Sequence, residues 1–376
     1  MATEKFAPGL EGVIATDTAV SYLDVDHEQI VIRGYDLIEL AKQATFIKTA
    51  YLVIHGALPS AAQERDFAQA LTRDANVPPA VYELLRSLPK GTHLMDALRT
   101  GLSFLAGYED EKTLDDTSKA ANLAKGMRIL AKAPTIAVNA YHAVNGQPIV
   151  EPDPKLGYTE NVLWMINRKR PTPQAIAVLD RIFICYIEHE LPNSTFAARV
   201  IVSTLSDIYG GVTGAVASLK GPLHGGANEA AANMLVDILK HGGQSQAESY
   251  IMHKLATKAR IMGFGHRVYM KKYDPRAFLL RDYLADAAKL KPEGPELHAI
   301  YQKVEAVMLR EKGLYPNADY PIGLLMYLLD IPIPLFTPLF LCARVPGLVA
   351  HVIEQHENNR LYRPRVIYTG PRGLHP

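Results

Sequence analysis

The sequence predicts a mainly α protein with a minor β element near its amino-terminal end. Apolar residues recur at helical spacing along most of the 376 residues. Capping residues and prolines stand where these periodic segments begin and end. Strand and helix segments do not alternate in a sustained way, which disfavours a doubly wound sheet. We therefore expect a fold in which helices pack on helices.

Short strands are predicted near the amino-terminal end and helices after them. Residues 12–35 mix β-branched residues with turn formers, which predicts one or two short strands. Helices are then predicted in "SAAQERDFAQALTRD", "PPAVYELLRSLP", "HLMDALRTGLSFLAGY", residues 117–146 and "TPQAIAVLDRIFICYIEHE". Pro134 is expected to kink the fourth of these helices. The next segment, "STFAARVIVSTLSDIYGGVTGAVASLKG", is expected to begin with a Ser or Thr cap, and Gly210, Gly211 and Gly214 are expected to let another helix approach closely.

Glycine and proline clusters indicate two domains. The clusters lie at residues 221–226, 242–243, 263–265 and 313–323. They bracket a helical segment that is expected to form a small domain of residues 221–324. Residues 1–220 are expected to form a large helical domain, to which residues 325–376 return.

Charge, cysteine content and apolar runs restrict the classes of function. The 40 Lys and Arg residues nearly balance 39 Asp and Glu residues, which gives no electrostatic case for nucleic acid or an anionic membrane. Cys185 and Cys342 stand in apolar stretches and are interpreted as core residues of a reducing compartment. The start lacks the pattern of a signal peptide, and the run Ile331 to Ala343 is short and contains prolines. We expect a soluble cytoplasmic protein with no nucleic-acid or membrane partner.

The first motif whose residues suit catalysis is "GPLHGGANEA", Gly221 to Ala230. A strong helix is predicted after Gly226, so His224 lies just ahead of a helix amino terminus. The positive end of the helix dipole disfavours imidazolium, and His224 should therefore be neutral at pH 7. A neutral histidine can donate a hydrogen bond, and the glycines beside it have no side chains and let a ligand come close. This arrangement suits polarisation of a carbonyl or stabilisation of an enol. The alternative is a turn histidine that caps the helix.

The second motif is "IMGFGHRVYMKKYDPRA", residues 261–277. Gly263 and Gly265 begin a G-x-G-x-x-G pattern, but Val268 replaces the third glycine and a helix precedes the loop. This excludes a dinucleotide fingerprint. The loop presents His266 among four cations, Arg267, Lys271, Lys272 and Arg276. Glycine amides with several cations suit a phosphate or carboxylate ligand; a solvated basic loop is the alternative.

Further polar residues stand in unusual surroundings. His189 lies between two glutamates at the end of an apolar helix, and Asp319 lies in the loop "YPNADYPIG". Arg344 follows a long apolar run, while Arg363 and Arg365 lie near the carboxyl-terminal end. Taken singly, His189 is interpreted as a surface or capped histidine and Asp319 as a turn former. Their occurrence together in one helical protein indicates a shared site.

The motifs together resemble the citrate synthase family in its shorter bacterial form. They are "GPLHGGANEA", "MGFGHRVY" with "DPRA", "PNADY", "LFTPLFLCAR" and "NNRLYRPR". The resemblance extends from "LEGVIATDTAV" to "YTGP". It implies a two-domain helical homodimer whose small domain closes over the active site. The implied activity is that of an acyltransferase of the tricarboxylic acid cycle, which condenses acetyl-CoA with oxaloacetate and water to give citrate and CoA.

The resemblance also implies roles for individual residues. Asp319 matches the base that removes a proton next to the thioester, and His224 matches the donor to the thioester oxygen. His266 matches the residue that polarises the ketone of oxaloacetate and protonates the alkoxide. The residues implied to hold substrate carboxylates are His189, Arg276, Arg344 and, from the other subunit, Arg363. Those expected to contact coenzyme A are Gly263, Phe264, Gly265, Arg267 and Lys271. No metal or redox cofactor is implied, because the coenzyme A thioester is itself a substrate.

The chain departs from many relatives at three places. Pro192-Asn193 follows the His189 motif where many relatives have Asn-Ala. Met270 stands where many relatives have lysine, so Lys271 or Lys272 is expected to make that phosphate contact. Pro321 after the Asp319 motif is also less usual, although the base itself is intact.

Three other functions are weighed against this one. A histidine-rich metalloenzyme is disfavoured because His351 and His356 are five residues apart on one helix, a poor ligand spacing. A non-catalytic CoA-binding relative is disfavoured by the intact His224, His266 and Asp319. A 2-methylcitrate synthase using propionyl-CoA stays open, since one methylene is worth only about 1–3 kcal/mol of discrimination.

Overall fold

The structure is a computed structural model that describes residues 6–265 and 273–375. In these residues it contains eighteen α-helices and one small sheet, which confirms the predicted mainly α class. The helices of the first half are α1 (Leu37–Gln43), α2 (Phe46–His55), α3 (Ala61–Arg73), α4 (Pro79–Ser87), α5 (Leu94–Leu105), α6 (Glu111–Asp115), α7 (Lys119–Val144), α8 (Tyr158–Asn167) and α9 (Pro173–Tyr186). Those of the second half are α10 (Asn193–Val202), α11 (Ile208–Leu219), α12 (Ala227–Lys240), α13 (Gln244–Ala256), α14 (Pro275–Arg281), α15 (Leu284–Ala287), α16 (Gly294–Lys312), α17 (Asp319–Leu328) and α18 (Phe336–Glu357).

The β element is a three-stranded antiparallel sheet near the amino-terminal end. Its strands are β1 (Ser21–Asp24), β2 (Gln29–Ile32) and β3 (Tyr35–Asp36), paired in chain order. Ile30 and Ile32 of β2 are fully buried and anchor the sheet on the helices. Asp36 ends the sheet and caps α1, because its carboxylate accepts from the N–H groups of Ile38 and Glu39. Strands in this segment are thus confirmed, although the structure has three where one or two were predicted.

The core is centred on α18, which packs along α7. Gly126 of α7 allows this close approach, since a Cβ there would lie 2.5 Å from Cγ1 of Val349. Helix α7 continues through Pro134, which is buried. The segment Ile333–Glu357 is long and apolar enough to cross a bilayer, but most of it is buried among the other helices. Both cysteines are buried and free, as predicted.

The segment after His189 that was expected to begin with a Ser or Thr cap forms two helices, α10 and α11. The chain turns between them at Leu205, whose φ of 67° is left-handed, and Asp207 caps α11 by accepting from the N–H of Gly210. The prediction of a Ser or Thr cap on α10 was wrong, because Pro192 precedes this helix and no side chain caps it. Close packing at the glycines is confirmed: a Cβ on Gly211 would lie 2.6 Å from Cγ1 of Val202 on α10.

Helices α12 to α17 pack mainly on one another. Helix α12 begins at Ala227 as predicted and packs against α16 and α17, while α13 packs against α16. Glycines with left-handed φ values, Gly242 and Gly243, end α12 and open α13. Helix α17 runs past position 324, where the small domain was expected to end. This group of helices contributes one wall of the pocket described next.

Candidate active site

A pocket of about 850 Å³ opens between the core helices and the helices after α11. It brings together the predicted residues His189, His224, Gly263, Phe264, Gly265, Arg276, Asp319 and Arg344. These residues come from segments more than a hundred positions apart in the sequence. Eight of the residues predicted from separate motifs therefore line one cavity in the folded chain.

Some predicted residues are not placed in this cavity. His266, Arg267 and Lys271 lie outside the described residues. Arg363 is described and does not line the pocket of its own chain. It is exposed in the segment after α18, where its Nη1 donates to the carbonyl of Pro364 at 3.5 Å.

His224 is held in the loop between α11 and α12 by Ser194. The backbone N–H of Ser194 donates to Nε2 at 3.3 Å, and its hydroxyl lies 2.8 Å from the same nitrogen. Because Nε2 accepts this backbone N–H, the neutral ring carries its proton on Nδ1. Burial lowers the pKa of His224 to about 4, and the positive charge of Arg344 adds to the effect. The neutral state expected from the helix dipole is thus favoured chiefly by desolvation.

The two glycines after His224 allow a close backbone contact and leave open space beside the histidine. A side chain on Gly225 would collide with the carbonyl of Leu219, which accepts the Gly225 N–H at 3.0 Å. This contact fixes the tight passage from α11 into α12. Gly226 has open space where a Cβ would stand.

Asp319 is the first residue of α17 and is half-buried at the pocket wall. Its N–H donates to Oδ1 of Asn317 at 3.1 Å, and its own Oδ1 accepts from the hydroxyl of Tyr186 at 2.5 Å. Burial raises the pKa of Asp319, while the Tyr186 hydrogen bond and the charge of Arg276 oppose that rise. The carboxyl is thus a stronger base than an exposed aspartate.

The Gly263–Gly265 loop is hydrogen-bonded to the segment that precedes Asp319. Gly263 and Gly265 have φ values of 89° and 72°, which favour glycine. Gly265 donates its N–H to the carbonyl of Tyr315 at 2.9 Å, and Asn317 donates its side-chain amide to the carbonyl of Gly265 at 2.9 Å. The glycine loop and the Asp319 loop are therefore one hydrogen-bonded unit.

Two arginines contribute buried positive charge. Arg276 is 5% exposed and makes a two-point ion pair with Asp274, at 2.8 and 3.1 Å. Arg344 is 2% exposed; its Nε donates to the carbonyl of Tyr186 at 2.5 Å, and burial lowers its pKa to about 10. Both guanidinium groups remain charged near neutral pH. Such groups at a pocket wall suit a ligand with carboxylates.

The neighbours of His189 form a buried polar network. Glu188 Oε1 accepts from the Ser21 hydroxyl at 3.1 Å and from the His189 N–H at 2.9 Å, and lies 3.2 Å from Nε2 of His351. Nδ1 of His351 lies 2.8 Å from Nη1 of Arg199. His351, weighed above as a metal ligand, therefore belongs to this network. Within residues 6–265 and 273–375, no three His, Cys, Asp or Glu side chains are grouped to hold a metal ion.

The sequence analysis missed several residues that hold the site together. Tyr186, Asp274 and Asn317 contact the predicted residues, and Ser194 was interpreted only as part of a helix cap. Tyr186 lies in an apolar helix, where its spacing is that of a core residue. Asp274 had a signal, because an aspartate before Pro275 at a helix start is a usual cap.

Comparison with known proteins identifies what the chain is similar to. Residues 9–365 match the family model described as "Citrate synthase, C-terminal domain". The chain is 47% identical over 373 residues to citrate synthase from Heyndrickxia coagulans, covering 99% of this chain and 98% of that protein. It is 46% identical to citrate/2-methylcitrate synthase from Bacillus subtilis, covering 98% of each. The structure superposes with a TM-score of 0.92 and 32% identity on citrate synthase from Thermoplasma acidophilum, solved as a ternary complex with carboxymethyl coenzyme A and oxaloacetate, over 100% of this chain and 99% of that one.

Proposed function

We propose that the pocket is the active site of this chain, which belongs to the citrate synthase family. The chain is an acyltransferase that condenses acetyl-CoA with oxaloacetate and water, releasing citrate and CoA. One observation supports this location. A neutral histidine, His224, and a carboxyl group with a raised pKa, Asp319, line one pocket beside two buried arginines. The carboxylate and the histidine suit deprotonation of a carbon acid, and the arginines suit binding of a dicarboxylate substrate.

In the proposed first step, Asp319 removes a proton from the carbon next to the thioester. His224 donates its Nδ1 proton in a hydrogen bond to the thioester oxygen, where negative charge develops. A carboxylate can perform this step only if the enolate is stabilised as it forms. The neutral ring suits this role, because its pKa of about 4 keeps Nδ1–H a hydrogen-bond donor throughout the neutral range.

In the proposed second step, the enolate carbon attacks the ketone carbon of oxaloacetate. Arg276, Arg344 and His189 hold the substrate carboxylates, and His266 polarises the ketone and protonates the resulting alkoxide. Water then hydrolyses the thioester bond of the condensed product, and CoA leaves as the thiol. This chemistry uses side chains and the thioester alone and needs no metal or redox cofactor.

We place coenzyme A along the glycine loop. Gly263, Phe264 and Gly265 line the pocket next to Asp319, so a thioester there reaches the base. Arg267 and Lys271 follow this loop in the sequence and are proposed to contact the phosphates. Removing either charge should raise the KM for acyl-CoA and leave the KM for oxaloacetate unchanged.

The second candidate substrate is propionyl-CoA, which would give 2-methylcitrate. The relative from Bacillus subtilis carries both activities in its name, and this supports testing both acyl groups here. The experiment measures CoA thiol release, with kcat/KM for acetyl-CoA and for propionyl-CoA in the presence of oxaloacetate. We expect release that depends on oxaloacetate. Release at the same rate without oxaloacetate would indicate a thioesterase and contradict the proposal.

We further propose that the segment 221–324 closes over the large domain when oxaloacetate binds. His224 and Asp319 lie near the two ends of this segment, so its movement would assemble the site and exclude water. The functional unit is proposed to be a homodimer in which Arg363 completes the partner's site. Small-angle scattering should show a smaller radius of gyration with oxaloacetate; an unchanged radius would contradict closure.

A further inference from the structure

Tyr186 links the two halves of the proposed active site. Its side chain is 2% exposed and ends α9 at the pocket wall, where its ring stacks on Phe340 with centroids 4.0 Å apart. Its hydroxyl donates to Oδ1 of Asp319 at 2.5 Å, and its carbonyl accepts from Nε of Arg344 at 2.5 Å. One residue therefore contacts both the base and a carboxylate-binding arginine.

The direction of the hydroxyl hydrogen bond is determined by its neighbours. Asn228 of α12 donates its side-chain amide to the Tyr186 oxygen at 3.2 Å, so the tyrosine oxygen accepts there and directs its own proton to Asp319. The Asn228 amide is oriented in turn, because its Oδ1 accepts from the N–H of Glu229 at 2.6 Å. The chain Asn228, Tyr186, Asp319 thus runs from donor to acceptor in one sense.

We propose that Tyr186 is a positioning residue for the reaction: its hydroxyl holds Oδ1 of Asp319 and leaves Oδ2 to take the proton. Among the described residues, Oδ2 has no hydrogen-bond partner. The inference rests on the proposed role of Asp319 as the base. It adds that the orientation and the charge of this carboxylate depend on a neutral phenol.

The charged groups that face Asp319 set the background for this effect. Arg276 and Arg344 favour the ionised carboxylate and Asp274 opposes it, while burial raises the pKa of the carboxyl most strongly. The Tyr186 hydroxyl favours the ionised form by a hydrogen bond and keeps its own proton, because burial raises the pKa of the phenol well above its usual value. Tyr186 thus acts as a donor throughout the working pH range.

The test is Tyr186→Phe, which keeps the ring and the backbone carbonyl and removes only the hydroxyl. We expect the plateau of kcat/KM for acyl-CoA to fall by about 10- to 100-fold, because a hydrogen bond to a charged group is lost. The acid limb of the pH profile should move to higher pH, because the ionised carboxylate loses a donor. Oxaloacetate affinity should change little. Tyr250→Phe is the matched control, since Tyr250 also donates to an aspartate, Asp237, at 2.5 Å but does not line the pocket.

Two outcomes separate this inference from the proposed function. If Asp319→Asn is inactive but Tyr186→Phe keeps the wild-type plateau and acid limb, Tyr186 has no positioning role and the base assignment stands. A fall of the plateau with an unmoved acid limb would also overturn the inference, because a purely structural change explains it. If Asp319→Asn keeps its activity, the proposed function fails first. Circular dichroism and oxaloacetate titration check that each variant is folded.

Discussion

His224 and Asp319 line the same pocket and each is buried beside a hydrogen-bond donor, yet the two groups are suited to different charge states. Burial disfavours the charged form of both groups: it lowers the pKa of His224 to about 4 and raises that of Asp319. Ser194 donates to the ring nitrogen and supports the neutral histidine, whereas Tyr186 donates to the carboxylate and supports its charge. The difference teaches that desolvation alone does not define a role. A hydrogen-bond donor favours the deprotonated form of each group, which is the neutral form of His224 and the charged form of Asp319, so the donor adds to the effect of burial at His224 and opposes it at Asp319.

The largest effect is expected from removing the base. Asp319→Asn keeps the shape of the side chain but cannot take a proton, so kcat should fall by about 10²–10⁴. Oxaloacetate binding should survive, because the buried arginines remain. Steady-state kinetics and calorimetric titration with oxaloacetate measure the two quantities. Turnover near the wild-type rate would show that Asp319 is not the base.

Removing the neutral donor should cost somewhat less. His224→Ala deletes one preorganised hydrogen bond to the thioester oxygen, which is typically worth about 10²–10³ in kcat. Replacement by Gln retains an amide donor and should recover part of the loss. The same kinetic assay measures both variants. Equal activity of the Ala and Gln variants would contradict a donor role for His224.

A smaller change is expected at the partner of His224. Ser194→Ala removes the hydroxyl 2.8 Å from Nε2 but leaves the backbone N–H donor, so kcat/KM should fall by about tenfold or less. The acid limb should not move, because the backbone N–H of Ser194 still donates to the neutral ring and the burial that lowers the pKa of His224 to about 4 is unchanged. In Tyr186→Phe, by contrast, the acid limb should move to higher pH. Ser87→Ala, an exposed hydroxyl on α4, is the control. A shift of the acid limb in Ser194→Ala would contradict the account.

The smallest expected signal tests whether all site residues come from one chain. Subunits carrying Arg363→Ala or His224→Ala are each expected to have little activity, and they are mixed under conditions that allow exchange. If Arg363 serves the partner's site, half of the dimers are mixed and each contains one intact site, so activity should recover to about a quarter of wild type. No recovery, with exchange confirmed by mass spectrometry, would place Arg363 in its own chain.

The sequence predicted the residues that stand out against their surroundings. His224 lies among glycines, Asp319 lies in a proline-rich loop and Arg344 follows an apolar run, and all three line the pocket. Tyr186 was missed because an aromatic residue in an apolar helix has the pattern of a core residue. The partner contacts of such residues depend on helices that are distant in the sequence, and no local pattern encodes them.

The break between α10 and α11 was missed although the sequence carries a sign of it. Residues 203–207 read Ser-Thr-Leu-Ser-Asp, a run of mostly poor helix formers that ends in a typical capping residue, but the prediction treated the whole segment as one unit. The turn depends on Leu205 in a left-handed conformation and on the Asp207 cap, and it lets α11 fold back against α10. The cap could be predicted from the local sequence, whereas the packing of α11 back against α10 could not.

The most direct test of the central claim measures proton removal separately from condensation. Acetyl-CoA is incubated in deuterium oxide with the enzyme and an unreactive dicarboxylate analogue of oxaloacetate, and deuterium entering the methyl group is followed by NMR. We expect exchange with the wild-type enzyme and with Tyr250→Phe, slower exchange with Tyr186→Phe, and almost none with Asp319→Asn or His224→Ala. Wild-type exchange rates in Asp319→Asn would contradict the claim that this carboxylate and the neutral His224 form the enolate together.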